Sequence, residues 1–428
     1  MARTFAALRD YNYRTYFTGA LLSNIGTWLM RVAQDWLVLE LSDGSAVAVG
    51  ITTALQFAPA LVLSPYGGVL ADRFDKRVVL RLTQTWMALC ALALGLITLL
   101  GHAEVWHVYL LALIFGVGSA LDMPARQSFV SELVSPALLA NAVALNSVSF
   151  HLARLIGPAI AGVIIHRWGS GWAILLNAFS YLAFLIALGV LDASKLRLAE
   201  RAPRMKGQIR AGVRYVRERA DLLLVLGIAF NVGTWGMNFQ MTNAVMVQQH
   251  YLRTAEDYGV AGSVMAIGSL LGALWAARRG RAPRVRFIVA TSLAFGLLNF
   301  AIGLMPNYWA YLVLLPFSGL FAILTLTSSN ANVQLHTDPA MRGRVMALYS
   351  MVLLGGTPLG SPVIGIFGEL LGPQWTLLSS GVLTVIGILL TVFIVVRLKH
   401  LRVRAGMRPP RLDVRNLGVK PPDPRDRR

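Results

Sequence analysis

The chain has 428 residues, of which 56% are hydrophobic and 14% charged, with a mean hydropathy of +0.60 and a formal net charge of +19. Soluble domains carry about 25% charged residues, so this composition excludes a water-soluble domain of ordinary make-up and points to a polytopic helical membrane protein. The positive charge does not signal a nucleic-acid partner: of 39 Lys and Arg, all but Arg31, Arg154, Arg167 and Arg253 fall in the termini and in alternate loops on one side, which is the positive-inside pattern.

That pattern predicts a multi-pass protein of the cell membrane with both termini in the cytoplasm and therefore an even number of spans. Residues 1–13 form a short basic lead. The first apolar segment, 14–40, is long enough to span, and no signal-peptide pattern is apparent. It carries the polar run NIGTWLMRVAQD, in which Asn24, Trp28, Arg31 and Asp35 are spaced by four, three and four and so share one helical stripe. A charged side chain at membrane depth costs a few kcal/mol or more, so this stripe is expected to face a wet cavity or a partner. A tight outer turn at Ser42–Ser45 leads to a second span, 46–66, and a charged inner loop, 67–77. Spans three and four run 78–100 and 106–123, followed by a polar inner loop, Pro124–Ala140. Asp122 and Arg126 stand one turn apart at that end. Spans five and six cover 141–166 and 171–191. The lone cysteine, Cys90, lies in an apolar run and reads as a packing residue rather than a disulfide or metal ligand.

Residues 192–221 make a basic cytoplasmic linker, within which 206–221 is suited to an amphipathic surface helix. Spans seven to twelve are placed at 222–249, 259–277, 287–305, 309–330, 343–368 and 375–397. The basic, proline-rich tail 398–428 has too little apolar surface to fold and is expected to be disordered.

Two segments are written twice. Asn24, Gly26, Thr27, Trp28 and Met30 recur 207 residues on as Asn231, Gly233, Thr234, Trp235 and Met237. Ala144, Leu145, Ser147, Gly157 and Gly162 recur 203 residues on as Ala347, Leu348, Ser350, Gly360 and Gly365. Two repeats at nearly one offset predict an all-α membrane protein of twelve transmembrane helices in two pseudo-symmetric six-helix bundles, 1–191 and 222–397, around a shared cavity. Trp28, Trp235, Asn24, Asn231, Asn238 and Thr242 are the candidate cavity wall, with Thr325 and Ser328 as a weaker stripe on span ten. Aromatic faces and amides suit an amphipathic, planar or catechol-like molecule.

The second inner loop reads Gly67-Gly68-Val69-Leu70-Ala71-Asp72-Arg73-Phe74-Asp75-Lys76-Arg77. It resembles the loop-2/3 signature of the major facilitator superfamily, with Gly67, Gly68, Asp72, Arg73, Lys76 and Arg77 as the gate motif and Asp75 where the signature has its second glycine. In span five, Arg154, Gly157, Pro158 and Gly162 lie in a run similar to the antiporter motif of exporters in that superfamily, with Ala161 for one glycine. The opening and the run ALDMPARQSFVSELV resemble the branch that includes siderophore exporters and related efflux permeases. One expected feature is missing: the arginine that many proton-driven exporters carry in span four is Ala112 here.

The resemblance implies the major facilitator fold and secondary active efflux of a drug, siderophore or metabolite by alternating access, coupled to protons. Asp35 and Arg31 are the candidate coupling pair: a substrate that draws Arg31 away would let Asp35 take a proton. No cofactor and no metal is implied, and the expected partners are the small molecule, protons and the bilayer, with the chain acting as a monomer. Import of a sugar or metabolite is the alternative within transport, and a membrane sensor or scaffold is the alternative outside it. An enzyme is disfavoured, because no nucleophile–base set, paired metal ligands or P-loop appears.

Overall fold

The computed structural model describes residues 5–197, 208–278, 283–338 and 341–398, except for the side chains of residues 64, 65, 68, 72, 208–210 and 277. The linker core and the tail expected to be disordered lie outside these residues. The chain is all helix and loop: α1 (Tyr11–Leu41), α2 (Ala46–Arg73), α3 (Lys76–Leu99), α4 (Val105–Leu133), α5 (Pro136–Trp168) and α6 (Ser170–Gly189) precede the linker. A short amphipathic helix, α7 (Gln208–Glu218), follows. The seventh span is broken into α8 (Ala220–Asn231) and α9 (Phe239–Val245), with π-helical turns at Val232–Gly236 and Met246–His250. Last come α10 (Ala255–Arg278), α11 (Val285–Gly303), α12 (Tyr308–His336), α13 (Arg342–Leu371) and α14 (Trp375–Leu398).

Among the described residues eleven segments are long and apolar enough to cross a membrane. The remaining long helix, α1, has the length, at 31 residues, but its polar stripe lowers its apolarity. It lies inside the bundle against α5 and α6. Two expected loops are largely helix. α4 runs through Pro124 to Leu133, and α5 starts three residues later, at Pro136 after the Ser135 N-cap. Proline at the first helical position forfeits no hydrogen bond, so the polar stretch 124–140 is carried mostly on helix ends. Likewise α2 continues to Arg73, and Asp75 caps α3 by accepting from the Arg77 amide at 2.8 Å. Asp75 sits at φ −57°, so the aspartate at the signature's glycine position serves as an N-cap and needs no left-handed turn.

Helix packing repeats in the two halves. α1 packs on α5 and α6, α2 on α4, and α3 on α4 and α6; correspondingly α8 packs on α13 and α14, α10 on α12, and α11 on α12 and α14. The halves meet through α2 against α13 and α5 against α10, two contacts that the duplication exchanges. Close approach at both depends on glycine. A Cβ on Gly162 would come within 2.8 Å of the Ala255 carbonyl, and one on Gly365 within 2.7 Å of the Ala46 carbonyl. Gly259 likewise lies on the Pro158 carbonyl and Gly50 on that of Ser361. The loop that enters each pair carries a left-handed residue at matching positions, Asp43 (φ 50°) and Leu252 (φ 51°). α5 and α13 both end on glycines of positive φ, Gly169 and Gly372, the ordinary way to stop a helix.

The hydrogen bonds Ser45 Oγ to Glu369 (2.7 Å), Val47 N to Glu369 (3.2 Å), Tyr258 Oη to Asp35 (3.2 Å) and Ser263 Oγ to the Leu155 carbonyl (2.8 Å) cross between halves. They run from the Ser42–Ser45 end to about mid-helix, so the halves are joined over that stretch.

Candidate functional site

Asp35 is buried at 6% exposure. Its Oδ2 accepts from the Tyr258 hydroxyl, whose oxygen also lies 3.1 Å from the Gln240 carbonyl. One hydroxyl proton serves one of these acceptors at a time. The Tyr258 ring stacks on Trp36 at 6.2 Å. The carboxylate of the first helix is therefore held by the other half of the chain.

The expected Arg31–Asp35 ion pair is not formed, in contrast to Lys76–Glu132, Arg126–Asp122, Lys195–Asp192 and Arg219–Asp221, which all close within 4 Å. The reason is directional. Helical side chains lean toward the N-terminus, and Arg31 reaches one turn back, to Trp28 at 5.1 Å from its ring centre and to Phe57 at 5.2 Å. Arg154 approaches the same indole at 5.3 Å. Trp28 packs edge-on against Phe150 and lies over Gly157, where a Cβ would clash at 2.6 Å.

Buried polar atoms with no protein partner lie on the elements that meet here: Arg31 Nε, both amide atoms of Gln34, Gln56 Nε2, Gln240 Nε2 and Asn238 Oδ1. They come from α1, α2 and the broken seventh span, which touch one another across the halves. Buried polar groups are normally satisfied, so this set marks a place for water or a polar ligand. Gln34, Gln56 and Gln240 were not anticipated from sequence. Glutamines in otherwise apolar spans were the available signal.

Several predicted cavity residues are instead engaged within their own half. The Asn24 side-chain Oδ1 accepts from Arg126 at 3.3 Å, and Arg126 pairs with Asp122, which also accepts from Thr83 and Gln84. Asn231, the copy of Asn24, donates to Thr391 at 3.1 Å, and Thr325 to Thr291 at 3.0 Å. Each bond satisfies a polar group that would otherwise be orphaned between helices. Thr242 bonds the Phe239 carbonyl, and Ser328 is buried on α12. Asn238 donates to the Thr234 carbonyl, and the Trp235 carbonyl accepts from Ser380.

Two six-helix sets exchanged by a duplication, with unpartnered polar groups between them, are the architecture of a carrier. A family model described as transmembrane secretion effector (MFS_3) matches residues 2–415. The chain belongs to this family of the major facilitator superfamily. It is thus a membrane transporter rather than an enzyme. It is 24% identical over 377 residues to a staphyloferrin A transporter of Staphylococcus aureus (strain NCTC 8325 / PS 47), spanning 86% of this chain and 93% of that one. It is 26% identical over 401 residues to the enterobactin exporter EntS of Escherichia coli (strain K12), spanning 91% and 93%. The crystal structure of a bacterial homologue of the human lysosomal transporter Spinster superposes with a TM-score of 0.71 at 17% identity, covering 91% of this chain and 97% of that one, which shows the shared fold.

The major facilitator signature loop is tied to its own half. Lys76 pairs with Glu132 of α4. Arg77 donates from Nε to the Leu188 carbonyl at 2.7 Å and from Nη2 to that of Gly189 at 2.9 Å, capping the C-terminal end of α6. Gly67 lets α2 lie on α4 at Ala120 and Leu121. Arg73 is exposed. The side chains of Gly68 and Asp72 lie outside the described residues. The glycine–proline motif divides its work: Gly157 packs α5 on α1 within the half, whereas Pro158 and Gly162 form the contact with α10 of the other half.

Proposed function

We propose that this transporter exports a small amphipathic molecule from the cytoplasm by alternating access, driven by protons, and that it acts as a monomer in the cell membrane with both termini cytoplasmic. The moving bodies in this reading are 1–191 and 222–397, connected by the basic linker 192–221 and followed by the tail 398–428. Siderophore transport by the two curated relatives and the glycine–proline run in α5 support the direction and the substrate type.

The observation that carries the coupling is the hydrogen bond from Tyr258 to Asp35. It ties an ionisable, buried group to the closure of the Ser42–Ser45 end, which the positive-inside rule sets outside. Opening that end breaks the bond and brings the carboxylate to water. There it takes a proton from the outside medium, and it gives the proton up once it is enclosed and turned to the cytoplasm. Arg31, free of Asp35, contacts Trp28 of its own helix and Phe57 of α2, so substrate and proton act on neighbouring turns of α1.

Proteoliposomes loaded with a panel of dyes, antibiotics and siderophores and energised by a pH gradient test this reading. Wild-type protein should move at least one compound against its gradient, and Asp35→Asn should retain downhill exchange while losing gradient-driven accumulation. Full accumulation by Asp35→Asn would remove the coupling role, and uptake rather than release in oriented vesicles would reverse the direction.

A further inference from the structure

Arg31 and Arg154 project from different helices, α1 and α5, onto one indole. Their guanidinium carbons stand 5.1 and 5.3 Å from the centre of the Trp28 ring, so they lie no more than roughly 10 Å apart. Among the described residues no carboxylate comes within 4 Å of either, and the nearest acid along α1, Asp35, is bonded to Tyr258. Arg31 Nε is buried without a partner. One turn away the amide of Gln34 is buried at 2% exposure with neither oxygen nor nitrogen paired.

This arrangement is costly as it stands. A single charge at membrane depth is unfavourable by a few kcal/mol, and two of like sign repel. Contact with the indole face offsets part of that for each arginine. What remains is an excess of positive charge and of hydrogen-bond donors converging on a flat aromatic surface. Trp28 is only partly buried, so the surface is reachable.

We infer that Arg31, Arg154 and Trp28 form a binding centre for a small organic anion that carries carboxylate oxygens, and that this is the substrate class. Assigning the anion as cargo rests on the transport reading above; the binding centre itself does not. Each guanidinium offers paired N–H groups to two oxygens in one plane. Trp28 supplies the stacking face, Phe150 flanks it, Phe57 backs the Arg31 guanidinium, and the free amide of Gln34 supplies one further donor and acceptor. A cationic compound would meet two positive charges with no compensating carboxylate.

Binding to purified full-length protein in nanodiscs tests this with four probes: 2,3-dihydroxybenzoate, citrate, tetraphenylphosphonium and raffinose. The two anions should bind and the cation and the neutral sugar should not. Arg31→Gln and Arg154→Gln should each weaken anion binding about tenfold or more, and Arg31→Lys should fall between, keeping the charge but losing the fork. Trp28→Phe should weaken dihydroxybenzoate more than citrate. Binding of neither anion, equal binding of tetraphenylphosphonium or raffinose, or anion affinity unchanged in both Gln variants would each overturn the inference. The wild-type preference decides the matter even where a variant fails to fold. Counterflow in proteoliposomes separates this inference from the transport reading. Anions bound but never moved would sink transport and leave the site, whereas tetraphenylphosphonium moved without anion binding would sink the site and leave transport.

Discussion

Tyr258 and Asp35 are 223 residues apart in sequence, yet the phenol of α10 donates to the carboxylate of α1 at 3.2 Å. Tyr258→Phe removes the donor and leaves the buried carboxylate short of a partner, which costs about 1–3 kcal/mol. The penalty falls on the arrangement closed at the Ser42–Ser45 end. With Cys90 replaced by Ala, a cysteine placed at Ala255, which is 3% exposed, should react faster with a membrane-impermeant maleimide in the Tyr258→Phe background. An unchanged rate would mean that the bond does not hold this end shut.

Gly162 and Gly365 should behave as a pair. A leucine at either position drives a side chain into backbone of the opposite half, and overpacking of this kind costs about 1–3 kcal/mol. Each variant should lower transport rate while leaving the melting temperature of the detergent-solubilised protein near wild type, because packing inside each half is untouched. Gly157→Leu should do the reverse and lower the melting temperature, since it strikes Trp28 and Leu29 within its own half.

Breaking the buried pair of Lys76 and Glu132, whose side chains are 11% and 3% exposed, leaves an uncompensated charge. Glu132→Ala should destabilise the fold by about 3–5 kcal/mol, and a double replacement by Lys76→Met and Glu132→Leu should recover much of the loss. Thermal denaturation in detergent reads both. Equal destabilisation by the single and double variants would show that geometry rather than charge is responsible.

Leu252 holds a left-handed backbone, φ 51°, while 83% exposed. A leucine in this conformation is strained by about 1–2 kcal/mol, and glycine is not. Leu252→Gly should therefore raise stability, net of the added flexibility of the unfolded chain, by up to about 1 kcal/mol. A lower melting temperature would count against strain at this turn.

Much of the architecture could be read from residue order alone. The polar stripe of α1, the repeats at 203 and 207 residues and the signature loop are local patterns, and local patterns survive in sequence. The partners of those residues are not local. Arg31 carries no mark saying that it turns back to Trp28 rather than forward to Asp35. Asn24 and Asn231 look like cavity amides but close bonds to Arg126 and Thr391 inside their own halves. Polar residues in an apolar span can serve a ligand or merely glue helices together, and only the packing distinguishes them. The helical extent of 124–140 was missed because proline and polar residues read as loop, although both are at home on helix ends.

The matched left-handed residues Asp43 and Leu252 give the molecule an internal ruler. They stand 209 positions apart, as do Gly50 and Gly259, whereas Gly162 and Gly365, and the helix-stopping Gly169 and Gly372, stand 203 apart. The Trp28 and Trp235 stretches stand 207 apart, so the copies have changed length twice: by two residues within the first helix of each half, where the second copy carries its two π-helical turns, and by six between the second and fifth helices. Any effect measured at one meeting point consequently names its counterpart, and scanning both members of each couple would tell whether the ancient twins still share the labour equally.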